Sequence, residues 1–244
     1  QEYYCSFDIG TLGNYYAKHI QEAIQEERIC SVPHEKGKKV SLYLDLGRSD
    51  ATAIIFVQTQ GQEIRVIDYY EHNGEDVAHY AEYLHDKPYQ YGFVYLPHDA
   101  FAKRMESART IAEQFKQKGF EVRRVPKHTI GNGINEVRKV FKRVWFDKES
   151  TRELLSALEA YHKEWDAKAK VFKPYPKHDW SSHAADAMRY LAISIQKQTP
   201  DDYESAALEF AKHQSGMIKP NPELGVKEDE MREYEKQVRA QFLS

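Results

Sequence analysis

The chain has 244 residues, of which 30% are charged, and its formal net charge is −3. This composition is typical of a soluble globular protein with one large domain, or one domain with appended segments. It excludes a membrane protein, because no apolar run approaches the roughly 20 residues that span a bilayer. Two cysteines, Cys5 and Cys30, are too few for a disulfide framework or a zinc site, so a reducing cytosol is expected. There is no signal peptide, and the start at Gln1 without Met suggests part of a longer protein.

The first half of the sequence predicts a helix, a linker and three consecutive strands. The helix is expected at 12–28 and the linker, with Pro33 and Gly37, at 31–39. Apolar residues at period two predict a buried strand at 40–47, in which Asp45 is the acidic residue. Gly47 would let the backbone turn and approach another group closely. Strands at 51–57 and 63–70 follow, and then a helix that begins after residue 76 and ends before Pro88.

The second half of the sequence alternates between strands and helices. We expect strands at 91–96 and 120–125, a helix at 104–118 between them, and a flexible loop at 130–133. Further elements are then predicted in this order: a helix at 134–144, an extended piece at 145–146, a helix at 151–164, a hairpin or arm at 168–176, and a helix at 181–195. This order predicts an α/β fold with a mixed central sheet, its first three strands antiparallel, and helices on both faces.

The expected organisation has three parts. Residues 1–39 form a linker segment with a helix, residues 40–198 form the α/β domain, and residues 199–244 form a C-terminal tail that could hold helices at 203–213 and 228–241. The charges differ along the chain, because a basic block precedes an acid-rich tail. The block contains Lys116, Lys118, Arg123, Arg124, Lys127, Arg138, Lys139, Lys142 and Arg143. We expect it to face nucleic acid, with Arg123, Arg124, Lys127, Arg138 and Lys142 as candidate phosphate contacts, although solvated helix faces are the alternative.

Three aspartates are candidates for a shared site. Asp45 lies on the first buried strand, Asp99 follows a later strand, and Asp186 lies on the closing helix, three residues after His183. Carboxylates at strand ends of an α/β sheet lie where ligands bind. Converging carboxylates repel one another and need a cation, and oxygen ligands suit Mg²⁺ or Mn²⁺. Two such ions can activate a water and stabilise the leaving oxygen of a phosphodiester. Taken singly, each aspartate is better explained as a cap or turn residue.

The acidic motifs resemble those of a known family. They are YLDLGRSDATA at 43–53, LPHDA at 96–100 and SHAADAMRY at 182–190. In this order they resemble the ribonuclease H-like fold of the retroviral-integrase superfamily, and more closely the C-terminal nuclease domain of the large terminase subunit of tailed bacteriophages. The resemblance covers residues 1–196. It implies a metal-dependent endonuclease that cuts concatemeric double-stranded viral DNA during genome packaging, in the host cytoplasm.

The resemblance also implies site residues and partners. Asp45, Asp99 and Asp186 would be the catalytic metal ligands of a site for two Mg²⁺ or Mn²⁺ ions. Many relatives have two adjacent acids where this chain has Ala185 and Asp186, so the second ion needs support from His183, Asp179 or Asp50, ranked in that order. The full protein would carry an ATPase domain, whose GxxxxGK[ST] loop is absent here, and would act with a portal and a small terminase subunit. The portal would contact residues 200–244.

Two alternatives to the terminase nuclease remain open. One keeps the fold and changes the substrate, as in a junction resolvase, a transposase-like enzyme or a ribonuclease H. The other is a non-catalytic packaging or portal-docking module, in which the acids are structural.

Overall fold

The computed structural model describes residues 13–47, 50–103 and 108–196, all within one compact unit that spans Gln1–Gln196. The described helices are α1 Ala17–Gln25, α2 Val77–Asp86, α3 Ile111–Gln117, α4 Ile130–Val140, α5 Arg152–Ala160 and α6 Ser182–Gln196. The strands are β1 Ile29–Cys30, β2 Val40–Asp45, β3 Ala51–Gln60, β4 Glu63–Asn73, β5 Tyr91–Leu96, β6 Glu121–Arg124, β7 Val144–Asp147, β8 Lys163–Asp166 and β9 Val171–Pro176. Among these helices, none is long and apolar enough to cross a membrane.

Seven strands form one mixed sheet in the order β1-β7-β4-β3-β2-β5-β6. Strands β2, β3 and β4 are antiparallel neighbours, and the other pairings of this sheet are parallel. The predicted fold class is therefore confirmed, including its three antiparallel strands. β8 and β9 form a separate hairpin, which was predicted as a hairpin or arm at 168–176.

Both faces of the sheet are covered by apolar side chains, which form two cores. The α6 core combines Tyr43, Ile55 and Val66 of the sheet with residues of α1, α4, α5 and α6, such as Ile20, Ile134, Leu154 and Met188. The α2 core combines Leu42, Leu44 and Ile54 with residues of α2 and α3, such as Tyr80, Leu84 and Phe115. Since side chains alternate along a strand, β2 directs Leu42 and Leu44 into the α2 core. Tyr43 and Asp45 lie on the face that α6 covers.

The predicted loop at 130–133 was wrong, because α4 already begins at Ile130. The side chain of Thr129 caps this helix by accepting a hydrogen bond from the backbone N–H of Asn132 at 3.2 Å. Gly133 lies where α4 approaches α6. A Cβ atom on Gly133 would lie 3.0 Å from Cδ of Arg189 and 3.0 Å from Cδ2 of His128. The glycine therefore serves close packing between helices, whereas the sequence pattern suggested a flexible loop.

The other element bounds differ from prediction mainly at helix ends. α3 begins after Thr110, which forms a capping box with Glu113, so the helix expected at 104–118 is shorter within the described residues. α5 ends at Ala160, because the chain enters the β8–β9 hairpin where the helix was expected to continue to 164.

The predicted division of the chain at residue 40 stays a prediction. The described part of the expected linker packs on the sheet, since Ile20 of α1 lies in the α6 core and β1 pairs with β7. The C-terminal tail predicted at 199–244 and the N-terminal residues 1–12 lie outside the described residues.

Candidate active site

Asp45 ends β2 on the face of the sheet that α6 covers, and two side chains of α6 contact it. His183 Nδ1 lies 3.3 Å from Asp45 Oδ2, and the hydroxyl of Tyr190 lies close enough to interact with the same carboxylate. The hydrogen bond with Asp45 outweighs burial and raises the pKa of His183, and the charges of Glu71 and Asp50 act in the same direction. Burial, followed by the charges of Asp45 and Asp186, raises the pKa of Tyr190, so its hydroxyl keeps its proton and faces Asp45 as a possible donor. The Asp45 carboxylate is therefore held in one orientation.

Asp186 lies one turn beyond His183 on the same helix. Arg189, which is 4% exposed, contacts Asp186 Oδ1 with Nε at 3.1 Å and also with Nη2. Although 28% of the Asp186 side chain is exposed, desolvation is the main cause that raises the pKa of this carboxyl. The charge of Arg189 lowers the pKa, and the charge of Asp45 raises it. The interaction of two carboxylates through a poorly solvated space is what a bound cation would relieve.

Glu71 joins this acidic group, although the sequence did not point to it. The strand register aligns Asp45 with Ala53 and Ala53 with Glu71, so the two acids lie on one face, two strands apart. That corresponds to about 10 Å between their Cα atoms at the usual strand spacing. The hydroxyl of Tyr69 donates to Glu71 Oε2, and burial, followed by the charge of Glu71, raises the pKa of Tyr69. The sequence held one clue: Tyr69 and Glu71 are two residues apart on the strand that follows the turn at Gly61, so they share a face of the sheet.

Asp99 lies in a short 3-10 turn, His98–Phe101, directly after β5. It lines an open cleft of about 670 Å³ together with Arg189 and Tyr190. Tyr190 therefore borders the cleft that contains Asp99 and also interacts with Asp45. The cleft links the end of β5 to α6.

The predicted DNA-contacting residues fall into two groups. Lys127 lines the cleft. Burial is the main cause that lowers the pKa of His98, and the nearby charges of Lys127 and Arg124 lower it further. Arg124 lies over the ring of Phe101 at 4.2 Å, and Arg123 lies over Phe93 at 3.6 Å.

The second group lies beside α1. Arg138 donates to the backbone oxygen of Tyr15 at 3.3 Å, and Lys142 is exposed and contributes to the field at His19. The predicted block therefore divides into a group at the cleft and a group at α1.

The two other acids proposed as supporting residues have different surroundings. Asp179 Oδ1 accepts hydrogen bonds from the backbone N–H of Ser181 at 3.0 Å and from its hydroxyl at 2.6 Å. Burial would raise the pKa of Asp179, but these hydrogen bonds outweigh it and the pKa is lowered. Asp179 thus fixes the turn that leads into α6. Asp50 is exposed directly before β3, where Gly47 packs so closely that a Cβ atom on Gly47 would overlap the backbone of Asp50 and Ala51.

Solved structures with a similar fold are large terminases. The large terminase of a thermophilic bacteriophage aligns with a TM-score of 0.55 and 20% identity, over 70% of this chain and 43% of that protein. A structure of the same large terminase in complex with ADP gives a TM-score of 0.54 at 20% identity, over 71% and 44%. The P22 large terminase nuclease domain gives 0.52 at 15% identity, over 70% of this chain and 89% of that domain. The chain thus spans less than half the length of the thermophilic bacteriophage protein.

The sequence itself gives a family match that covers the sheet and the candidate site. Comparison with curated proteins finds no match. The profile of the family described as "Terminase RNaseH-like domain" matches residues 42–194, a segment that begins in β2 and ends in α6 and contains Asp45, Asp99 and Asp186. The chain therefore belongs to the family of terminase ribonuclease H-like domains.

Proposed function

We propose that this domain is a metal-dependent endonuclease that cuts concatemeric double-stranded viral DNA during genome packaging. The observation that carries the proposal is the meeting of Asp45 and Asp186 beside Glu71, next to a cleft that contains Asp99. A group of partly buried acids of this kind is destabilising without a counter-charge. One buried arginine, Arg189, neutralises only part of it.

The donor set fits a hard divalent cation. Asp45, Asp186 and Asp99 supply carboxylate oxygens, which Mg²⁺ and Mn²⁺ prefer. Because Arg189 contacts Asp186 through Oδ1, we propose Oδ2 as the ligand atom of that carboxylate. When bound, one or two such ions would polarise the phosphodiester and activate water for in-line attack. For a second ion, Glu71 and His183 are better placed than Asp179, whose Oδ1 is already engaged by Ser181.

The surrounding side chains would hold this arrangement rigid. Tyr190 and His183 fix the rotation of the Asp45 carboxylate, and Arg189 fixes that of Asp186. Such contacts to ligand side chains commonly change metal affinity or activity by about 10- to 100-fold when removed.

The substrate proposal rests on charge at the cleft. Lys127 lines the cleft, and Arg124 lies near its residue His98; both would contact phosphates without reading base sequence. In the full protein we further propose an ATPase domain, supported by the ADP complex of the thermophilic bacteriophage large terminase. A portal and a small terminase subunit would be its partners, and the host cytoplasm its location.

Plasmid cleavage by this chain tests the proposal. Wild-type protein is expected to nick and linearise supercoiled plasmid in Mn²⁺ and to lose this activity in excess chelator. Asp45→Asn, which is nearly isosteric, should remain folded by circular dichroism and reduce cleavage at least about 100-fold, the upper end for a group that positions a metal.

Asp76→Asn is the matched control. It also removes one carboxylate, but Asp76 caps α2 on the opposite face of the sheet and asparagine caps equally well, so cleavage should not change. Folded Asp45→Asn that cuts at the wild-type rate would overturn the proposal. Preferential cutting of a four-way junction or of an RNA–DNA hybrid would keep the nuclease and replace the substrate.

A further inference from the structure

A second group of metal-binding side chains lies at the end of β4 and the start of α2, outside the acidic site. It consists of His72, Glu75 and His79, each of which offers one ligand atom within 4.8 Å of the others. Glu75 lies between the two imidazoles, with Oε1 4.0 Å from His72 Nδ1 and Oε2 3.8 Å from His79 Nδ1. All three are at least partly exposed, so small side-chain rotations can close the remaining distance. Ligands of a tetrahedral zinc ion lie about 3.4 Å apart, given Zn–N distances near 2.1 Å.

Neighbouring groups already orient this set. Tyr70 Oη lies 3.0 Å from His79 Nε2. If Nδ1 of His79 binds an ion, Nε2 carries the proton and donates it to the tyrosine oxygen. A hydrogen bond on the second ring nitrogen is how metal-binding histidines are usually fixed. The ring of Tyr70 also stacks on His72, with 6.2 Å between centroids. The backbone oxygen of His72 accepts a hydrogen bond from Tyr80 of α2 at 3.0 Å.

This group is separate from the acidic site. Glu71 and His72 are successive residues of β4, so their side chains point to opposite faces of the sheet. Glu71 lies on the face of α6 with Tyr69, and His72 lies on the face of α2 with Tyr70. The donor chemistry differs as well, because two imidazoles and one carboxylate suit Zn²⁺ and similar transition ions better than Mg²⁺.

We infer that His72, Glu75 and His79 form a binding site for a transition-metal ion of the Zn²⁺ type, with water completing the coordination. Such an ion joins the end of β4 to the first turn of α2 and stabilises that connection. The site does not depend on the proposed nuclease function, and binding of Zn²⁺ measures it without any cleavage assay.

Isothermal titration calorimetry with zinc chloride measures the zinc affinity of the wild-type chain and of four variants. His72→Ala and Glu75→Gln should each weaken Zn²⁺ binding at least about 10-fold, as for lost contacts in metal sites. Glu75→Gln keeps the size of the side chain, so it decides the question even if His72→Ala does not fold. His85→Ala is the matched control, since His85 is an exposed histidine of the same helix that contacts the backbone oxygen of Lys118. Its affinity should equal that of wild type, whereas Asp45→Asn reports any zinc ion that is bound at the acidic site.

Two results would overturn this inference. Wild-type zinc affinity in folded Glu75→Gln or His72→Ala would show that these residues do not bind the ion. Loss of zinc binding in Asp45→Asn alone would place the ion at the acids on the other face. A thermal shift adds a second readout: Zn²⁺ should raise the melting temperature of wild type and of His85→Ala, but not of Glu75→Gln.

Discussion

Gly133 on α4 offers a test of how the packing of two helices supports the acidic site. Replacing Gly133 with alanine places a Cβ atom 3.0 Å from Cδ of Arg189 and 3.0 Å from Cδ2 of His128. Arg189 is buried and holds Asp186, so the new methyl group presses on the residue that positions a candidate ligand. Gly131 lies two residues earlier on the same helix, and a Cβ atom there meets nothing within 4 Å.

The comparison of Gly133→Ala with Gly131→Ala isolates the effect of crowding. Either change gains about 0.5–1 kcal/mol because alanine is the better helix former. Overpacking at a tight site costs about 1–3 kcal/mol. The propensity gain is common to both variants, so Gly131→Ala should be the more stable of the two by about 1–3 kcal/mol.

Urea unfolding followed by circular dichroism measures this difference, and plasmid cleavage in Mn²⁺ measures its consequence for the site. We expect Gly133→Ala to lose cleavage activity under conditions in which it is still folded, whereas Gly131→Ala cuts like wild type. Equal stability of the two variants, within about 0.5 kcal/mol, would show that the space beside Gly133 is not as tight as described and would refute the reasoning.

Three further predictions concern the site and its scaffold. Tyr190→Phe removes the hydroxyl that contacts Asp45; it should reduce Mn²⁺-dependent cleavage several-fold while costing only about 1 kcal/mol of stability in urea, and unchanged cleavage would deny Tyr190 a positioning role. Thr110→Ala removes the capping box of α3 and should lower the free energy of unfolding by about 1 kcal/mol, without altering cleavage. Burial would raise the pKa of Asp147, but hydrogen bonds from the backbone N–H of Ser150 and Val32 outweigh it and hold the pKa low. This stabilisation is present above the unfolded pKa of about 3.9 and is lost as the pH falls through the folded value. Asp147→Asn should therefore be destabilised at pH 7 by about 1–2 kcal/mol and much less at pH 2, and an equal difference at both pH values would contradict this account.

Local patterns in the sequence predicted the sheet that carries the site. The period-two run of apolar residues predicted β2 as a buried strand and placed Leu42 and Leu44 together on one of its faces. Asp45 drew attention because it is an acidic residue in that buried strand. The spacing of the strands and the position of Asp186 in an apolar helix then predicted the mixed sheet and the closing helix. The roles of Asp45, Asp99 and Asp186 as metal ligands stay a prediction.

The parts that the sequence did not predict depend on tertiary contacts. Glu71 joins the site only through the register of β4 on β3, which a single strand pattern does not specify. α4 begins earlier than expected because Thr129 caps it at Ile130. Its glycine at position 133 packs close to Arg189, a contact between residues far apart in the chain. The group at His72 and His79 arises where a strand end meets the next helix, and its spacing matches no sequence motif.

We propose that Asp45 and Asp186 bind a divalent ion beside the cleft that contains Asp99. The most direct measurement is an anomalous difference map from a crystal of this chain soaked in Mn²⁺. We expect a peak within about 2.5 Å of carboxylate oxygens of both Asp45 and Asp186, with Asp99 turned toward the same ion or toward a second one. A map that shows Mn²⁺ elsewhere on the protein, at His72 and His79 for example, but none between Asp45 and Asp186 would contradict it.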